Sequence, residues 1–373
     1  LFPSGELMAA EARPPADADG RPLAGLRTRW ADSVVPENPL AEYPRPQMVR
    51  EKWVNLNGRW DYAILPAEHG RPHGWDGKIV VPFCVESQLS GVRQFVGPAN
   101  RLWYRRQFQV PEAKEVARLL LHFGAVDWDA TIFVNRKEVG RHRGGYDPFT
   151  LDITAALNAG AEQELVVSVW DPTDDGEQPR GKQIRAPRGI WYTSVTGIWQ
   201  PVWLEAVPIA SIASVLPVPD VDAGTVRVTV ASRGPGEAGR TRVIVSDSGR
   251  EVGRAEGAIG EAVAIKLAEP KLWSPDAPHL YDLDVELLSG GAVVDSVKSY
   301  FAMRKIERKK AEDGFERLFL NGKAVFQFGP LDQGWWPDGL YTAPTDEALR
   351  YDVEVTKKIG CNMIRKHVKV EPA

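Results

Sequence analysis

Residues 324–328 read Ala-Val-Phe-Gln-Phe, residues 345–358 read Thr-Asp-Glu-Ala-Leu-Arg-Tyr-Asp-Val-Glu-Val-Thr-Lys-Lys, and residues 363–365 read Met-Ile-Arg. The order is strand, helix, strand. Thr345 can cap the helix, and Asp346 and Glu347 stand in its first turn, where negative charge suits the helix dipole. Lys357 and Lys358 stand in the last turn, and Gly360 suits the position just past the end. Leu349, Val353, Thr356 and then Ile359 or Gly360 make one inward stripe. A strand–helix–strand unit of this kind has a right-handed crossover and is how a (β/α)8 barrel begins. Such a barrel takes about 250 residues, far more than lie between Lys309 and Ala373. The expectation for 309–373 is therefore an incomplete barrel, its first β/α units only.

Upstream, the chain reads as β. Residues 1–46 hold Pro14, Pro15, Pro22, Pro36, Pro39, Pro44 and Pro46, which disfavour a helix or a central strand. They predict an extended arm along the next domain. Residues 47–207 contain short apolar runs such as 103–108, 119–123, 130–134, 165–170 and 201–205, separated by turn residues. Asn135-Arg136-Lys137 is a plausible hairpin turn. Many strands at this spacing predict a jelly-roll sandwich, and most of the 13 Trp fall inside it. Residues 208–308 change to strict alternation over 225–230, 242–245, 263–267, 281–287 and 293–301, the period of half-buried strands. About 100 residues with seven or so strands predict an immunoglobulin-like sandwich. Next, Phe319-Leu320-Asn321-Gly322-Lys323-Ala324 reads as a hairpin with an Asn-Gly turn. The fold class expected is mainly β, with the β/α unit at its end.

Charges nearly cancel, 46 basic against 50 acidic, so no nucleic-acid or anionic-membrane partner is expected. No apolar run approaches the ~18 residues of a transmembrane helix. The chain opens at Leu1-Phe2, with no initiator Met and no basic-then-apolar signal sequence. The expectation is a removed leader or a start further downstream. Cys84 and Cys361 fall in different domains, so neither a disulfide between them nor a cysteine metal cluster is expected. Lack of a disulfide framework fits several compartments; periplasmic or extracellular placement is favoured.

The candidate chemistry lies at the carboxyl ends of the two expected barrel strands, where barrel active sites form. After the first comes Gly329-Pro330-Leu331-Asp332-Gln333-Gly334-Trp335-Trp336, and at the second Arg365-Lys366-His367. Asp332 and Gln333 can hydrogen-bond sugar hydroxyls. Trp335 and Trp336 offer flat apolar faces to the C–H side of a pyranose. Arg365 can hold a carboxylate by a two-pronged bond, with His367 beside it. The plainer reading has the Trp pair packing the loop and Arg365 in a structural ion pair. The long loop Gly181–Tyr192 either covers the edge of the sandwich or reaches across to the barrel's mouth. Asp171, Asp174 and Asp175 read as a solvated turn, since their spacing is not that of an EF-hand loop. The six His show no metal-ligand spacing, and phosphate-loop, dinucleotide and Gly-x-Ser-x-Gly signatures are absent. No cofactor and no metal are expected.

Four stretches together resemble glycoside hydrolase family 2, the β-galactosidase, β-glucuronidase and β-mannosidase group. Asn55-Leu56-Asn57-Gly58-Arg59-Trp60-Asp61 is similar to the family's opening motif. Phe123–Ala130, Val134-Asn135 and Gly140–Phe149 resemble the core of its sugar-binding domain. Gly197-Ile198-Trp199-Gln200-Pro201-Val202-Trp203-Leu204-Glu205 resembles that domain's closing strand, and Leu320-Asn321-Gly322-Lys323 the entry to its barrel. The likeness covers nearly all of 40–373.

The resemblance implies a jelly roll, an immunoglobulin-like domain and a catalytic barrel. It also implies retaining hydrolysis of terminal β-linked sugars by two carboxylates about 5–5.5 Å apart. Those carboxylates sit on later strands, the acid/base usually after an Asn-Glu pair. No Asn-Glu dipeptide follows Lys309, and Glu371 lies too near the second strand to be either. No catalytic residue is therefore expected here. Arg365 matches the family's arginine beside the nucleophile. The usual Gly-Val-Asn-x-His after the first strand is replaced by Gly329-Pro330-Leu331-Asp332-Gln333, which leaves the sugar open. The partner implied is an oligosaccharide or glycoside, and members of the family are often homo-oligomers. The rival reading is a non-catalytic carbohydrate-binding or adhesion protein. The βαβ tail argues against it, because open parallel edges are sticky and serve no adhesin.

Overall fold

The computed structural model describes residues 26–110, 117–160, 162–234 and 239–371. The first sandwich packs two antiparallel sheets. One has six strands in the order Gly77–Val81, Gly58–Pro66, Asn100–Gln109, Glu162–Trp170, Asp129–Val134, Lys137–Arg143. The other has four, in the order Trp53–Asn55, Val202–Val207, Arg118–Phe123, Phe149–Asp152. Alternate residues of both sheets meet in one core that includes Trp60, Ile79, Leu102, Tyr104, Leu121, Phe123, Ile132, Leu165, Val167 and Leu204. Burying side chains of this size stabilises by roughly 1.5–3 kcal/mol each. The two-residue turn Asn135-Arg136 joins paired strands with both residues at positive φ, 49° and 67°, as a type I′ hairpin requires.

The second sandwich has seven strands. Three form one sheet (Ser211–Asp220, Thr225–Arg233, Ala262–Lys266), and four form the other in the order Arg250–Ala258, Arg240–Asp247, Tyr281–Ser289, Ala292–Phe301. Period-two burial holds here: Val226, Val228 and Val230 point inward, with Val243, Val245, Leu283 and Val285 facing them. Next comes an antiparallel meander, Ile306–Lys310, Glu316–Leu320 and Lys323–Ala324, whose last turn is Asn321-Gly322. Asn321 donates to Trp273 O at 2.9 Å and accepts from Lys305 N at 3.0 Å, tying the turn to the second sandwich.

The last segment differs from expectation in register. Residues 325–330 carry no assigned strand; the parallel pair is Leu331–Asp332 with Arg365–Lys366. Pro330 has no N–H for a ladder, and the Asn362 side chain brackets the chain before it. Asn362 donates to Phe326 O at 2.8 Å and accepts from Phe328 N at 2.9 Å. The helix runs Asp346–Lys358, capped as expected by the Thr345 side chain accepting from Ala348 N at 3.2 Å. Of the expected inward stripe only Thr356 is buried. Ala348 and Thr356 are buried, whereas Leu349, Val353 and Ile359 are 43, 60 and 67 % exposed. The helix rests on the rest of the chain through Ala348 beside Trp336, Ala343 and Trp30, through Tyr351 against Trp30, and through Lys357 Nζ donating to Pro275 O. Of the expected barrel, the described residues hold this one strand–helix–strand unit. None of their helices is long and apolar enough to cross a membrane.

Of the arm, residues 1–25 lie outside the described residues. The remainder touches both the strand–helix–strand unit and the first sandwich. Trp30 meets Trp336 edge-on at 6.3 Å and Tyr351 at 5.0 Å, and Thr28 donates to Asp338. Further along, Asn57 donates to Pro39 O, and Tyr43 and Arg45 reach Glu205 of the first sandwich.

Candidate functional site

The strand–helix–strand unit docks on one edge of the first sandwich. Segment 335–342 supplies most of the contact. Thr342 Oγ1 donates to Trp199 O at 2.6 Å, Leu89 N donates to Asp338 O at 3.0 Å, and Tyr341 packs with Trp199, Ala125, Val195 and Cys84. The loop Gly181–Tyr192 completes it from the sandwich side. The Tyr192 ring stacks on Trp335 with centroids 4.6 Å apart and 14° between planes. A Cβ on Gly181, whose φ is +60°, would stand 2.2 Å from Val368 O. Only glycine lets the two backbones approach that closely. The loop therefore reaches across to the β/α unit.

Three buried carboxyls hold the loop's root. Asp127 accepts from Gln183 Nε2 at 2.9 Å, and Gln183 Oε1 accepts from Val195 N at 2.7 Å. Glu86 accepts from Ser194 Oγ and Thr196 N, both at 2.9 Å. Asp171 accepts from Thr173 N and Thr196 Oγ1. Burial pushes all three carboxyls up, Glu86 to about 7, and the nearness of Asp171 raises Asp127 further. Asp171 is thus buried rather than part of a solvated turn; Asp174 and Asp175 fit that description, lying beside Arg185.

The six expected sugar-binding residues fall in different places. Asp332 accepts from Gly334 N at 2.7 Å and pairs with Lys366 Nζ at 2.6 Å. Partial burial would raise its carboxyl, but the Lys366 and Gly334 contacts outweigh that and hold it low. Asp332, Gln333 and Trp335 line a cavity of about 310 Å³ with Tyr192, Val355 and Ile364. Asp332, Trp335 and Trp336 also border a cavity of about 880 Å³, between the arm, Gln200-Pro201 and the helix. The Trp336 ring itself is buried against Trp30, Ala343 and Ala348. Arg365 and His367 line neither cavity. Period two explains this: Ile364 and Lys366 face the helix side with Asp332, so Arg365 and His367 take the other face.

Sequence reasoning missed Lys369 and Tyr341. Lys369 Nζ donates to the carbonyls of Tyr341 at 2.7 Å and Gly334 at 3.3 Å, and sits 3.0 Å from Glu371. It also lies 5.4 Å from the Trp199 ring centroid and 5.3 Å from that of Tyr341. Burial pushes its ammonium down. A lysine three residues past a strand carries no signal of such burial. No group of three or more His, Cys, Asp or Glu among the described residues has metal-holding geometry.

Comparison with known proteins gives two matches that together span most of the chain. Residues 53–208 match glycosyl hydrolases family 2, sugar binding domain, and residues 210–304 match glycosyl hydrolases family 2. Among curated relatives, a β-galactosidase of Thermoanaerobacter pseudethanolicus is 27% identical over 70% of this chain and 36% of its own length. A β-glucuronidase of Paenibacillus borealis is 26% identical over 75% of this chain and 50% of its own. The chain thus spans between about a third and a half of these two relatives. Among solved structures, a Ruminococcus gnavus β-glucuronidase in complex with D-glucaro-d-lactam superposes with a TM-score of 0.71. It covers 88% of this chain and 57% of its own, at 20% identity, a likeness of fold.

Proposed function

The chain belongs to glycoside hydrolase family 2, and on that premise we propose that it is the amino-terminal part of a retaining β-glycosidase acting on terminal β-linked sugars. The observation that carries the reading is the parallel pair with its crossover helix, docked by Trp335 and Tyr341 onto the sugar-binding sandwich. That arrangement supports residues 309–373 being the opening of a catalytic barrel. Arg365 and His367 lie on the strand face turned away from the helix, the face that a closing barrel turns inward. In this reading they reach the sugar from below, and Trp335 borders it from the rim.

The same reading puts both catalytic carboxylates outside this chain. Glu371, the nearest glutamate to the strand ends, is held between Lys366 and Lys369. Without an acid/base and a nucleophile, neither proton transfer nor a glycosyl intermediate is available. The test is a set of p-nitrophenyl β-glycosides (galactoside, glucuronide and mannoside) incubated with the pure 373-residue chain. No release of p-nitrophenol is expected, while ligand-observed NMR detects binding of at least one glycoside. Turnover above the uncatalysed rate would overturn the assignment of the carboxylates, and absence of binding would overturn the placement of the sugar site.

A further inference from the structure

The second strand ends in a bend that ordinary backbone sterics disfavour. Val368 has φ +62°, the left-handed region, where a β-branched residue is a costly occupant. Such strain persists only where the surroundings over-determine it. Here Val368 is gripped from both flanks. On the sandwich side, Tyr146 Oη reaches Val368 O at 3.4 Å, and the Gly181 backbone packs against that same carbonyl. On the other flank stands Lys369, 5 % exposed. Its ammonium meets the carbonyls of Tyr341 and Gly334, the Glu371 carboxylate and the rings of Trp199 and Tyr341. The path of the lysine stem is also built. Gly334 has φ +67°, and a Cβ there would stand 2.5 Å from Lys369 Cδ. Only glycine gives the turn after the first strand both that conformation and that room.

The bend follows directly on the candidate sugar contacts. The Arg365 amide donates to Pro330 O at 3.0 Å and the His367 amide to Asp332 O at 2.8 Å. One residue later the chain turns left-handed, and Lys369 returns to the turn after the first strand. We infer that Lys369 is a positioning residue of the glycosidase proposed above, on which the inference rests. Its ammonium holds Val368 in the bend, and the bend sets the strand end that carries Arg365 and His367. The parallel pair spans only two residues on each strand, too few bonds to hold a strained neighbour by themselves. A buried cation among two carbonyls, a carboxylate and two aromatic rings supplies the rest. Without that clamp, Val368 relaxes to extended backbone and the strand end moves with it.

The experiment uses the full 373-residue chain with p-nitrophenyl β-galactoside and β-glucuronide as probes. Affinity is read by ligand-observed NMR, and the strand end by amide exchange at Arg365 and His367. Lys369→Met should weaken binding of the preferred probe by about five- to twentyfold. It should also strip protection from the His367 amide while exchange in the two sandwiches stays unchanged. Lys369→Gln keeps a donor for one of the two carbonyls, so it folds even where the methionine variant does not, and it should show the same changes in smaller measure. Val368→Gly adopts the bend without strain and should bind within about twofold of the wild type. The double variant Lys369→Met/Val368→Gly separates positioning from plain stability. A bend that no longer needs the clamp should regain about threefold or more of the lost affinity. A lysine that only adds stability predicts the reverse, because glycine loosens the unfolded chain. Unchanged affinity and exchange in both Lys369 variants, or a double variant no better than Lys369→Met, overturn the role of Lys369. Absence of binding by the wild type overturns the placement of the sugar site, and His367 protection across the variants then still decides whether Lys369 holds the strand end.

Discussion

Glu86 shows how a single buried carboxyl shapes the behaviour of the docking edge. Its side chain is 5 % exposed overall, accepts from Ser194 and Thr196, and titrates near pH 7 against an ordinary value of 4.5. The folded state thus holds this proton more tightly than the unfolded chain. Its contribution is fully present below pH 4.5 and is lost as pH rises through about 7, a change of roughly 3 kcal/mol. Glu205 behaves oppositely: burial would raise it, but His122, Arg45 and Tyr43 hold it low, so its contribution is lost only in strong acid. Buried His122 is pushed down and works against Glu86 on the acid side of neutrality. A comparison with Glu86→Gln isolates the Glu86 effect. The amide oxygen can accept from Thr196 N while its NH₂ donates to the rotatable Ser194 hydroxyl. The urea midpoint of Glu86→Gln should exceed that of the wild type by a margin that grows from pH 5 to pH 8. A constant margin would show that Glu86 does not titrate in this window. No part of this was legible in the sequence, where Glu86 stands in a turn-like Val85-Glu86-Ser87 run. It is held in place by Ser194 and Thr196, which lie more than a hundred positions away.

The helix Asp346–Lys358 was readable at its ends because capping is local chemistry. Thr345, the two acids after it and the two lysines in the last turn all act within one turn of their own position. Thr345→Ala should cost about 1 kcal/mol, seen as faster amide exchange over 346–349 with exchange in the two sandwiches unchanged. The covered face was not readable, since an apolar stripe records a partner without saying which residues supply it. The strand pair slipped for a related reason. Ala324–Phe328 has a strand's composition, but pairing begins only where Pro330 is passed and Asn362 no longer occupies the edge. Close approach then depends on Gly329, where a Cβ would stand 1.8 Å from Met363 O. Gly329→Ala should force the two segments apart. The amides of Arg365 and His367, which donate to Pro330 O and Asp332 O at 3.0 and 2.8 Å, should then lose exchange protection. Unchanged protection there would mean the pair tolerates the methyl by shifting elsewhere.

Across the whole molecule, the shifts in composition made the succession of sandwiches legible, since each sandwich buries its own alternating strands. The joint between them was not, because it depends on one arginine. Arg50 follows the arm and is 6 % exposed. Its guanidinium makes a two-pronged pair with Asp295 of the second sandwich at 2.7 and 2.9 Å and donates to Ile212 O at 2.8 Å. Its Nε also approaches Glu205 of the first sandwich at 3.2 Å, without the alignment of a hydrogen bond. Glu205 is already served by Tyr43, Arg45 and Trp203, so loss of Arg50 falls mainly on Asp295, which keeps only the amide of Ile212. Removing one partner of a buried pair strands the other charge, at about 3–5 kcal/mol. Arg50→Met should therefore lower the melting temperature and split one calorimetric transition into two, as the second sandwich unfolds apart from the first. Adding Asp295→Leu removes the stranded charge and should recover most of the lost stability without rejoining the transitions, since apolar replacement restores burial and not the bridge. If Arg50→Met melts in a single transition at the wild-type temperature, the joint is held by the strand contacts and the arm, and the ion pair contributes nothing to it.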